Sequence, residues 1–252
     1  MPPTVDYEVR DNVAWITLNR PDKLNAIDSS MRSELFPIMQ ELKYSDALWM
    51  AVITGNGRAF SVGHDLVEMT TAGSHYPTTD DLYLFQLGIY KPIIAAINGF
   101  CLAQGAGLAL CSDIRIASDQ ARFGWPQVKR GIGSVSGPCL LAHRVPLNIA
   151  LEFLFTGEFI DAQEAKRLNL VNYVVPHAQL MEKTEEFVSR IRGNAPLAAR
   201  AMKETTVRGQ GMTIEDRVRL ARLTNNAILQ TADAQEGLLA FREKRAPVWQ
   251  GR

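Results

Sequence analysis

The sequence predicts an α/β fold with a largely parallel sheet. Through the first half of the chain, apolar segments of strand length alternate with segments whose apolar residues repeat at helical spacing. Strands that are apolar along their whole length are typical of parallel sheets with both faces covered. The chain has 252 residues, of which 46% are hydrophobic, so it can form one large domain or a domain with a helical extension.

Four strands are predicted in the N-terminal half, each a compact apolar run. The helix after the first strand begins beside Asp28 or Ser29, either of which can cap it, and its apolar residues follow helical spacing from Met31 to Leu42. Helical periodicity also covers residues 104–111, after a turn that contains glycines. The predicted strands are 13–18, 49–55, 92–99 and 114–118.

The connection before the third strand is long and polar. Residues 66–90 are expected to form a loop followed by a short helix, which Thr79 or Asp80 can start. The loop therefore offers polar side chains near the centre of the chain.

The C-terminal half is predicted to be mostly helical. Asp161 and Glu164 resemble a capping box at one helix start. One more strand, 171–175, is followed by three amphipathic helices. The division that we expect is a core of residues 1–195 and a C-terminal helical region of residues 196–252.

Charge and cysteine content exclude several classes of protein. The 27 basic residues balance 27 acidic ones without a basic tract, so we expect no nucleic-acid partner. The N-terminus lacks an apolar signal core, and no apolar run approaches ~18 residues, so we expect no membrane span. Cys101, Cys111 and Cys139 lie in apolar contexts without metal-ligand spacing, which is typical of reduced core thiols in a cytoplasmic protein.

Two glycine-containing motifs do not fit common catalytic loops. Within residues 96–113, the run GAGLAL lacks the last glycine of a dinucleotide fingerprint, and no Lys-Ser/Thr pair follows as in a phosphate loop. The run GSVSG resembles a nucleophile elbow with Ser136 one position past its centre, but a polar segment precedes it and Pro138 follows. A loop at a helix start is the favoured interpretation.

A second turn has the same character as the one in residues 96–113. The run GNGRAFSVGHDL passes from the end of a strand through Gly63 towards a helix. Two such strand-to-helix turns can aim backbone N–H groups at an oxygen that gains negative charge. Ordinary tight turns are the alternative interpretation.

Six segments in order resemble the enoyl-CoA hydratase/isomerase family of the crotonase superfamily. They include NRPDKLNAI, RAFSVGHDL and FGWPQVKRGIG, and together they span almost the whole chain. The resemblance implies a crotonase-type spiral of β-β-α turns with C-terminal helices, and a homotrimer or a dimer of trimers. It also implies an acyl-CoA thioester as substrate, with coenzyme A as part of that substrate and no permanently bound cofactor or metal. The segments are residues 19–27, 58–66, 95–118, 123–133, 156–176 and 236–252.

In this family, two backbone N–H groups form an oxyanion hole for the thioester oxygen. By position in the motifs, these groups fall on His64, after Gly63, and on Gln104, before Gly105. Gln104 departs from the usual glycine of the family, so its side chain must point away or line the pocket.

The resemblance also implies the surroundings of the substrate. Leu66 would line the pantetheine path, while the neighbouring Asp65 belongs to a motif that supports caps and turns. Trp125 would shape the acyl pocket, or is a packed core tryptophan. The residues that flank the nucleotide are Lys23, Leu24 and Ala26.

The acid–base positions depart from the pattern of the hydratases. Those enzymes use two glutamates, and the matching positions here hold Gly107 and Gln127, neither of which titrates. General acid–base groups contribute roughly 10²–10⁴ in rate each, so an ordinary hydration is not expected. We expect an isomerisation, decarboxylation, C–C cleavage or hydrolysis through a thioester enolate. The alternative is a catalytically silent acyl-CoA-binding or assembly subunit.

Other groups can replace the missing glutamates. The imidazole of His64 titrates near neutrality, although a structural histidine is the alternative. Replacing Gly107 and Gln127 by glutamate is expected to raise hydratase activity if the pocket has room. Most polar residues of segment 66–85 are expected on a solvated face, and those able to carry a proton are Glu68, His75, Asp80, Asp81 and Tyr83.

Overall fold

A computed structural model of the chain describes residues 2–71 and 77–252. His75, one of the expected proton carriers, lies outside these described residues. The strands of the described residues are β1 (Val5–Arg10), β2 (Val13–Leu18), β3 (Met50–Gly55), β4 (Ala59–Ser61), β5 (Ile93–Ile97), β6 (Phe100–Leu102), β7 (Ile114–Ser118), β8 (Arg122–Gly124), β9 (Phe159–Asp161) and β10 (Tyr173–Val175).

The strands form two sheets that grow in alternation along the chain. The larger sheet has the order β1-β2-β3-β5-β7-β10, and the smaller one has the order β4-β6-β8-β9. Both are mainly parallel, with antiparallel pairs only at one edge of each, β1 with β2 and β8 with β9. Because each consecutive pair from β3 to β8 is divided between the two sheets, the chain winds as a spiral. The predicted α/β fold of the crotonase type is confirmed.

Helices fill the connections and most of the C-terminal half. Single turns of 3₁₀ helix at Pro21–Lys23 and Pro126–Arg130 also lie near the site described below. The helices are α1 (Ser29–Tyr44), α2 (Leu66–Thr71), α3 (Thr79–Leu87), α4 (Ala103–Leu110), α5 (Ser136–Leu140), α6 (Leu147–Thr156), α7 (Ala162–Arg167), α8 (Leu180–Arg192), α9 (Pro196–Arg208), α10 (Ile214–Ile228) and α11 (Ala232–Glu243).

The observed caps confirm one predicted helix start and correct another. Asp28 caps α1, as predicted, by accepting the N–H of Met31 at 2.9 Å. The cap of α3 is Thr78, one residue before the predicted Thr79 or Asp80, because its hydroxyl and the Asp81 carboxylate bond each other's backbone N–H.

Three further predictions of local structure were wrong. Residues 66–71 are helical rather than loop, because the Asp65 carboxylate accepts N–H groups of the first turn of α2. Asp161 caps α7, but the Glu164 side chain binds Arg167 and makes no reciprocal capping bond. Four helices, α8 to α11, follow the strand that ends at Val175, rather than three.

Apolar side chains cover both faces of the larger sheet. One face packs against α1 and α4 in a core that includes Ile53, Ile97 and Leu108. The opposite face packs against α8 through Phe187 and Val188. This burial explains why the central strands are apolar throughout. The division into residues 1–195 and 196–252 stays a prediction, with α9 beginning at Pro196.

The cysteines lie in two environments. Cys101 and Cys111 are buried, and desolvation raises the pKa of Cys111 to about 12. The prediction of a core thiol was wrong for Cys139, which is exposed at the end of the short helix α5.

Among residues 2–71 and 77–252, no helix combines the length and apolarity needed to cross a bilayer. The same residues contain no group of three or more side chains placed to hold a metal ion.

Candidate active site

Three turns meet at one edge of the smaller sheet. Strands β4, β6 and β8 are parallel neighbours, so their carboxyl ends lie side by side. This edge of an α/β sheet is where ligands commonly bind. The residues that follow the three strands are Gly63 and His64, then Ala103 and Gln104, then Trp125 to Gln127.

In the first turn, the backbone N–H of His64 points away from the neighbouring segment at Ile27. Ile27 donates its N–H to the Gly63 carbonyl at 2.7 Å, and Asp65 donates to the Ile27 carbonyl at 3.1 Å. In this parallel bridge the intervening His64 N–H faces the other side, and it makes no hydrogen bond with a described residue. Gly63 has a φ of +93°, which an L side chain rarely adopts.

The second turn begins α4 and touches the first. Ala103 has a φ of +52°, an uncommon value for a residue with a side chain. The Gln104 N–H lies in the first helical turn, where no intrahelical acceptor exists, and none of the described residues accepts it. A Cβ built on Gly63 would lie 2.9 Å from the Gln104 nitrogen. One built on Gly105 would lie 2.3 Å from the Ser61 carbonyl oxygen, so both glycines permit this close approach.

A buried relay holds the peptide of the second turn. The Trp125 indole donates to the Ser136 hydroxyl at 3.1 Å, and that hydroxyl donates to the Ala103 carbonyl at 2.9 Å. Ser136 is fully buried and is the first residue of α5, which confirms the interpretation as a helix start. Trp125 is also buried, as expected of a core tryptophan, and it lines the cavity described below.

The loop before α1 is fixed to the first turn by Arg20. Its guanidinium donates to the Ala26 carbonyl at 2.6 Å and pairs with Asp28 and Asp65 at 3.1 and 3.0 Å. Burial raises the pKa of Asp65, but hydrogen bonds from Arg20 and the backbone outweigh it, so the pKa lies below its usual value. Asn25, fully buried, donates to the Ala59 carbonyl at 2.7 Å. Asp65 is therefore engaged in structural contacts.

The residues expected along coenzyme A lie beside the first turn. Leu24 accepts the Val62 N–H at 3.2 Å and is half-buried, and Ala26 is buried. Lys23 and Leu66 are exposed, so a basic and an apolar side chain are accessible here.

Tyr83 occupies the space beside Gly107. A Cβ built on Gly107 would lie 2.5 Å from the Tyr83 Cζ and Oη and 2.8 Å from the Ser136 Cβ. The condition set for the glutamate exchange, room for the side chain, is therefore not met at this position. The Tyr83 hydroxyl lies 2.5 Å from the Gln104 carbonyl oxygen and 2.6 Å from the Gln104 side-chain amide.

The Tyr83 proton is committed to the second turn. The phenol donates its proton to Gln104, whose backbone carbonyl oxygen and side-chain Oε1 both lie within hydrogen-bond distance. Burial raises the pKa of Tyr83 well above its ordinary value. Tyr83 is consequently a neutral donor that braces α4.

Gln127 lines an apolar cavity of about 380 Å³. Its amide nitrogen donates to the Ser134 hydroxyl at 3.2 Å, and its buried Oε1 has no partner among the described residues. These two residues supply polar atoms to a wall that is otherwise mostly apolar. The large apolar side chains that line it are Trp125, Ile132, Leu147, Leu151, Leu154 and Phe155.

His64 is a neutral imidazole at pH 7. Its Nε2 lies 2.6 Å from the Thr79 hydroxyl. Burial lowers its pKa and the Arg32 guanidinium adds to this, while Asp80 and Glu68 oppose the shift without cancelling it.

Among the carboxylates of the segment 66–85, Asp80 differs from its neighbours. Glu68 accepts the backbone N–H that begins α1, and Asp81 accepts the one that begins α3. The buried Oδ1 of Asp80 has no hydrogen-bond partner among residues 2–71 and 77–252. Asp80 follows Thr79, whose hydroxyl lies 2.6 Å from the His64 Nε2, and the Asp80 charge raises the pKa of both His64 and Tyr83.

Backbone N–H groups that converge without an acceptor are typical of sites that bind an oxygen carrying negative charge. The chain belongs to the enoyl-CoA hydratase/isomerase family, whose model matches residues 8–252. It is 34% identical to (E)-benzylidenesuccinyl-CoA hydratase of Thauera aromatica, over 98% of this chain and 99% of the relative. It is 38% identical to carnitinyl-CoA dehydratase of Proteus mirabilis over the full length of both.

Solved structures agree with this assignment. The crystal structure of an enoyl-CoA hydratase/isomerase from Mycobacterium paratuberculosis superposes with a TM-score of 0.90 at 35% identity, covering 99% of each chain. The structure of an enoyl-CoA hydratase from Mycobacterium smegmatis gives a TM-score of 0.91 at 31% identity, with 98% and 99% covered. The family and fold implied by the six sequence segments are confirmed.

Proposed function

We propose that this chain binds acyl-CoA thioesters and polarises their carbonyl group with the N–H groups of His64 and Gln104. The observation that carries the proposal is the contact between the two turns, each of which has an N–H without an acceptor among the described residues. Such a pair stabilises the enolate formed when a proton or a carbon substituent leaves Cα. Each donor of this kind contributes about 3–4 kcal/mol to transition-state stabilisation.

The reaction that we propose is a lyase or isomerase reaction through this enolate, rather than an ordinary hydration. Relatives carry the names hydratase and dehydratase, which are lyase activities. By the family resemblance, Gly107 and Gln127 stand where hydratases have two glutamates. Tyr83 fills the space beside Gly107 and keeps its proton, and the Gln127 amide does not titrate.

Asp80 is the proton carrier that we propose in place of those glutamates. Its Oδ1 is buried and unpartnered among the described residues, and its charge acts on both His64 and Tyr83. The Asp80→Asn variant should therefore turn over the best acyl-CoA at least ~10²-fold more slowly, the lower bound for a general acid–base group. Unchanged turnover in this variant would exclude Asp80 from proton transfer.

The binding surface for coenzyme A and the oligomer complete the proposal. Lys23, Leu24, Ala26 and Leu66 would contact the coenzyme.

Apolar side chains exposed on α10 and α11 fit a homotrimer or a dimer of trimers. The three free thiols suit the reducing cytoplasm. The exposed apolar residues include Val218, Leu223, Leu238 and Phe241.

Titration calorimetry tests the ligand class. Acetyl-CoA should bind, while NAD and divalent metal ions should not, because the glycine turns lack a dinucleotide fingerprint and the described residues lack a metal cluster. NAD binding without affinity for the thioester would overturn the proposal.

A screen of acyl-CoAs tests the reaction. Crotonyl-CoA hydration should be at least ~10³-fold slower than in an ordinary hydratase, since two groups worth ~10²–10⁴ each are missing. Full-rate hydration would contradict the proposed reaction class. Binding without turnover of any thioester would support the second candidate, a silent acyl-CoA-binding subunit. The hydrogen bond from the Tyr83 hydroxyl to Gln104 favours this candidate, because it engages the proton of the phenol.

A further inference from the structure

Building on the proposed function, we propose that Ser136 is a positioning residue for the oxyanion hole. Its hydroxyl fixes the peptide group between Ala103 and Gln104 and so aims the Gln104 N–H at the thioester oxygen. The serine attracts attention in the sequence as the second serine of GSVSG, but the structure gives it no nucleophilic role.

The geometry of a single peptide plane makes this coupling direct. The Ala103 carbonyl and the Gln104 N–H belong to the same planar, trans peptide group and point in opposite directions. The Ser136 hydroxyl lies 2.9 Å from the Ala103 oxygen and donates to it. A bond that holds the carbonyl end therefore holds the direction of the N–H at the other end.

This peptide needs such a contact because its backbone is unusual. Ala103 has a φ of +52°, a region where a side chain crowds the backbone, so the turn is held by its surroundings. Ala103 is the first residue of α4, so its carbonyl is also placed for the helical hydrogen bonding of that element, and the Ser136 hydroxyl is the side-chain donor to it. Loss of this bond removes the side-chain contact that fixes the direction of the carbonyl.

The Trp125 indole fixes the direction of the serine proton. The indole N–H can only donate, and it donates to the Ser136 oxygen at 3.1 Å, so the serine proton is left to point at the Ala103 carbonyl. All the hydrogen bonds of the relay run in one direction and strengthen one another. Trp125 and Ser136 are 2% and 0% exposed, so water does not compete with the relay.

Within residues 2–71 and 77–252, the partners of the Ser136 hydroxyl are the Trp125 indole and the Ala103 carbonyl rather than a base. The His64 imidazole bonds Thr79, and the His177 imidazole bonds Ser118. The Ser136 proton is already given to a backbone carbonyl. A burst of acyl-enzyme formation is therefore not expected.

The test follows the carbonyl of bound crotonyl-CoA labelled with ¹³C at C1. Its NMR resonance reports polarisation of the thioester carbonyl, which a purely structural role for Ser136 would not change. The variants are Ser136→Ala, which removes the donor, and Ser136→Cys, which leaves a weaker one. Thr184→Val is the matched control, because Thr184 is fully buried and donates to the Leu180 carbonyl at 2.8 Å in α8.

In the unsubstituted protein, binding should displace the carbonyl resonance downfield from its position in free crotonyl-CoA. Ser136→Ala should lose more than half of this displacement, Ser136→Cys should lose less, and Thr184→Val should keep all of it. Ser136→Ala with the full displacement would overturn the inference. If Ser136→Ala does not fold, the same reading applies to Ser136→Cys and Trp125→Phe, and full displacement in both overturns it.

The same experiment separates the two proposals. An unsubstituted protein that binds crotonyl-CoA without any displacement, or that does not bind it, refutes the proposed oxyanion hole, and the inference falls with it. A displacement in the unsubstituted protein that Ser136→Ala retains refutes the positioning role alone.

Discussion

The candidate site has two regions that depend differently on side chains. One is the pair of turns that carry the N–H groups, and the other is the pair of positions beside them. The turns at Gly63 and Gln104 are built from backbone contacts that two glycines permit. The neighbouring positions, Gly107 and Gln127, depend on side chains, and here one is filled by Tyr83 while the other carries an amide.

This difference shows which part of the site a substitution can easily change. Backbone donors persist as long as the strands and turns pack as they do, whatever side chain stands at His64 or Gln104. Proton transfer needs a titratable side chain at one place, so a single exchange removes it. A site of this kind can keep thioester polarisation while its reaction changes.

The largest expected effect comes from disturbing the backbone contact. Gly63→Ala should lower turnover of the best acyl-CoA by about 10²–10³, the loss typical of one oxyanion donor, because the new Cβ would lie 2.9 Å from the Gln104 nitrogen. Steady-state kinetics measures the loss. Gly211→Ala is the control, since Gly211 has a φ of +85° but no atom within 4 Å of its built Cβ. Equal losses in both variants would assign the effect to backbone strain.

Restoring one carboxylate should act in the opposite direction. Gln127→Glu places a titratable group in the cavity beside the Ser134 hydroxyl and should raise crotonyl-CoA hydration by about 10²-fold, the low end for a general base. The gain should fall away at acid pH as the new carboxylate protonates. Gln127→Met keeps the size of the side chain without the carboxylate, and a similar gain in that variant would contradict the prediction.

The packing of Tyr83 against Gly107 predicts a coupled effect on stability. Gly107→Glu alone should lower the free energy of unfolding by about 1–3 kcal/mol, as overpacked side chains do, and should not raise hydration. Tyr83→Ala should make room, so its combination with Gly107→Glu should cost less than the sum of the single changes. Urea unfolding of the four proteins measures this coupling, and strict additivity would show that Tyr83 does not block the position.

His64 lies in the first turn, and its imidazole, which bonds Thr79, should affect stability rather than chemistry. Its pKa is below the ordinary 6.5 in the folded chain, so the unfolded chain takes up the proton first, and stability should fall as pH drops below about 6.5. His64→Gln, whose amide can still bond Thr79, should lose less stability from pH 7 to pH 5. Thermal unfolding at several pH values checks this, and parallel curves for the two proteins would contradict it.

Five of the six strands of the larger sheet could be predicted from sequence, while β1 and the strands of the smaller sheet were missed. Strands β2, β3, β5 and β7 are five or six residues long and apolar, so their pattern is visible. Strands β4, β6, β8 and β9 have three residues each, too few to show a period. Their positions follow from the spiral, which is a property of the whole chain.

The candidate site divides in the same way. Gly63 and Gly105 could be found because a close backbone approach requires glycine at a fixed place in a turn. The roles of Tyr83 and Ser136 could not, because they depend on contacts of α3 and α5 with α4, between residues far apart in sequence. Thr79 and Tyr83 are four residues apart in α3, and this helical spacing predicts that both side chains lie on the same side of the helix.

The alternation of strands between the sheets has a consequence for how the chain is made. The turns after β4, β6 and β8 close around the candidate site only when everything from Ala59 to Gln127 has folded, so a nascent or truncated chain that ends before β8 has no place for a thioester. A ligand that binds only the folded site stabilises the folded chain, by about 2.7 kcal/mol when its free concentration is a hundred times its Kd. An acyl-CoA thioester that binds this site would thus raise the stability of the folded chain with its concentration.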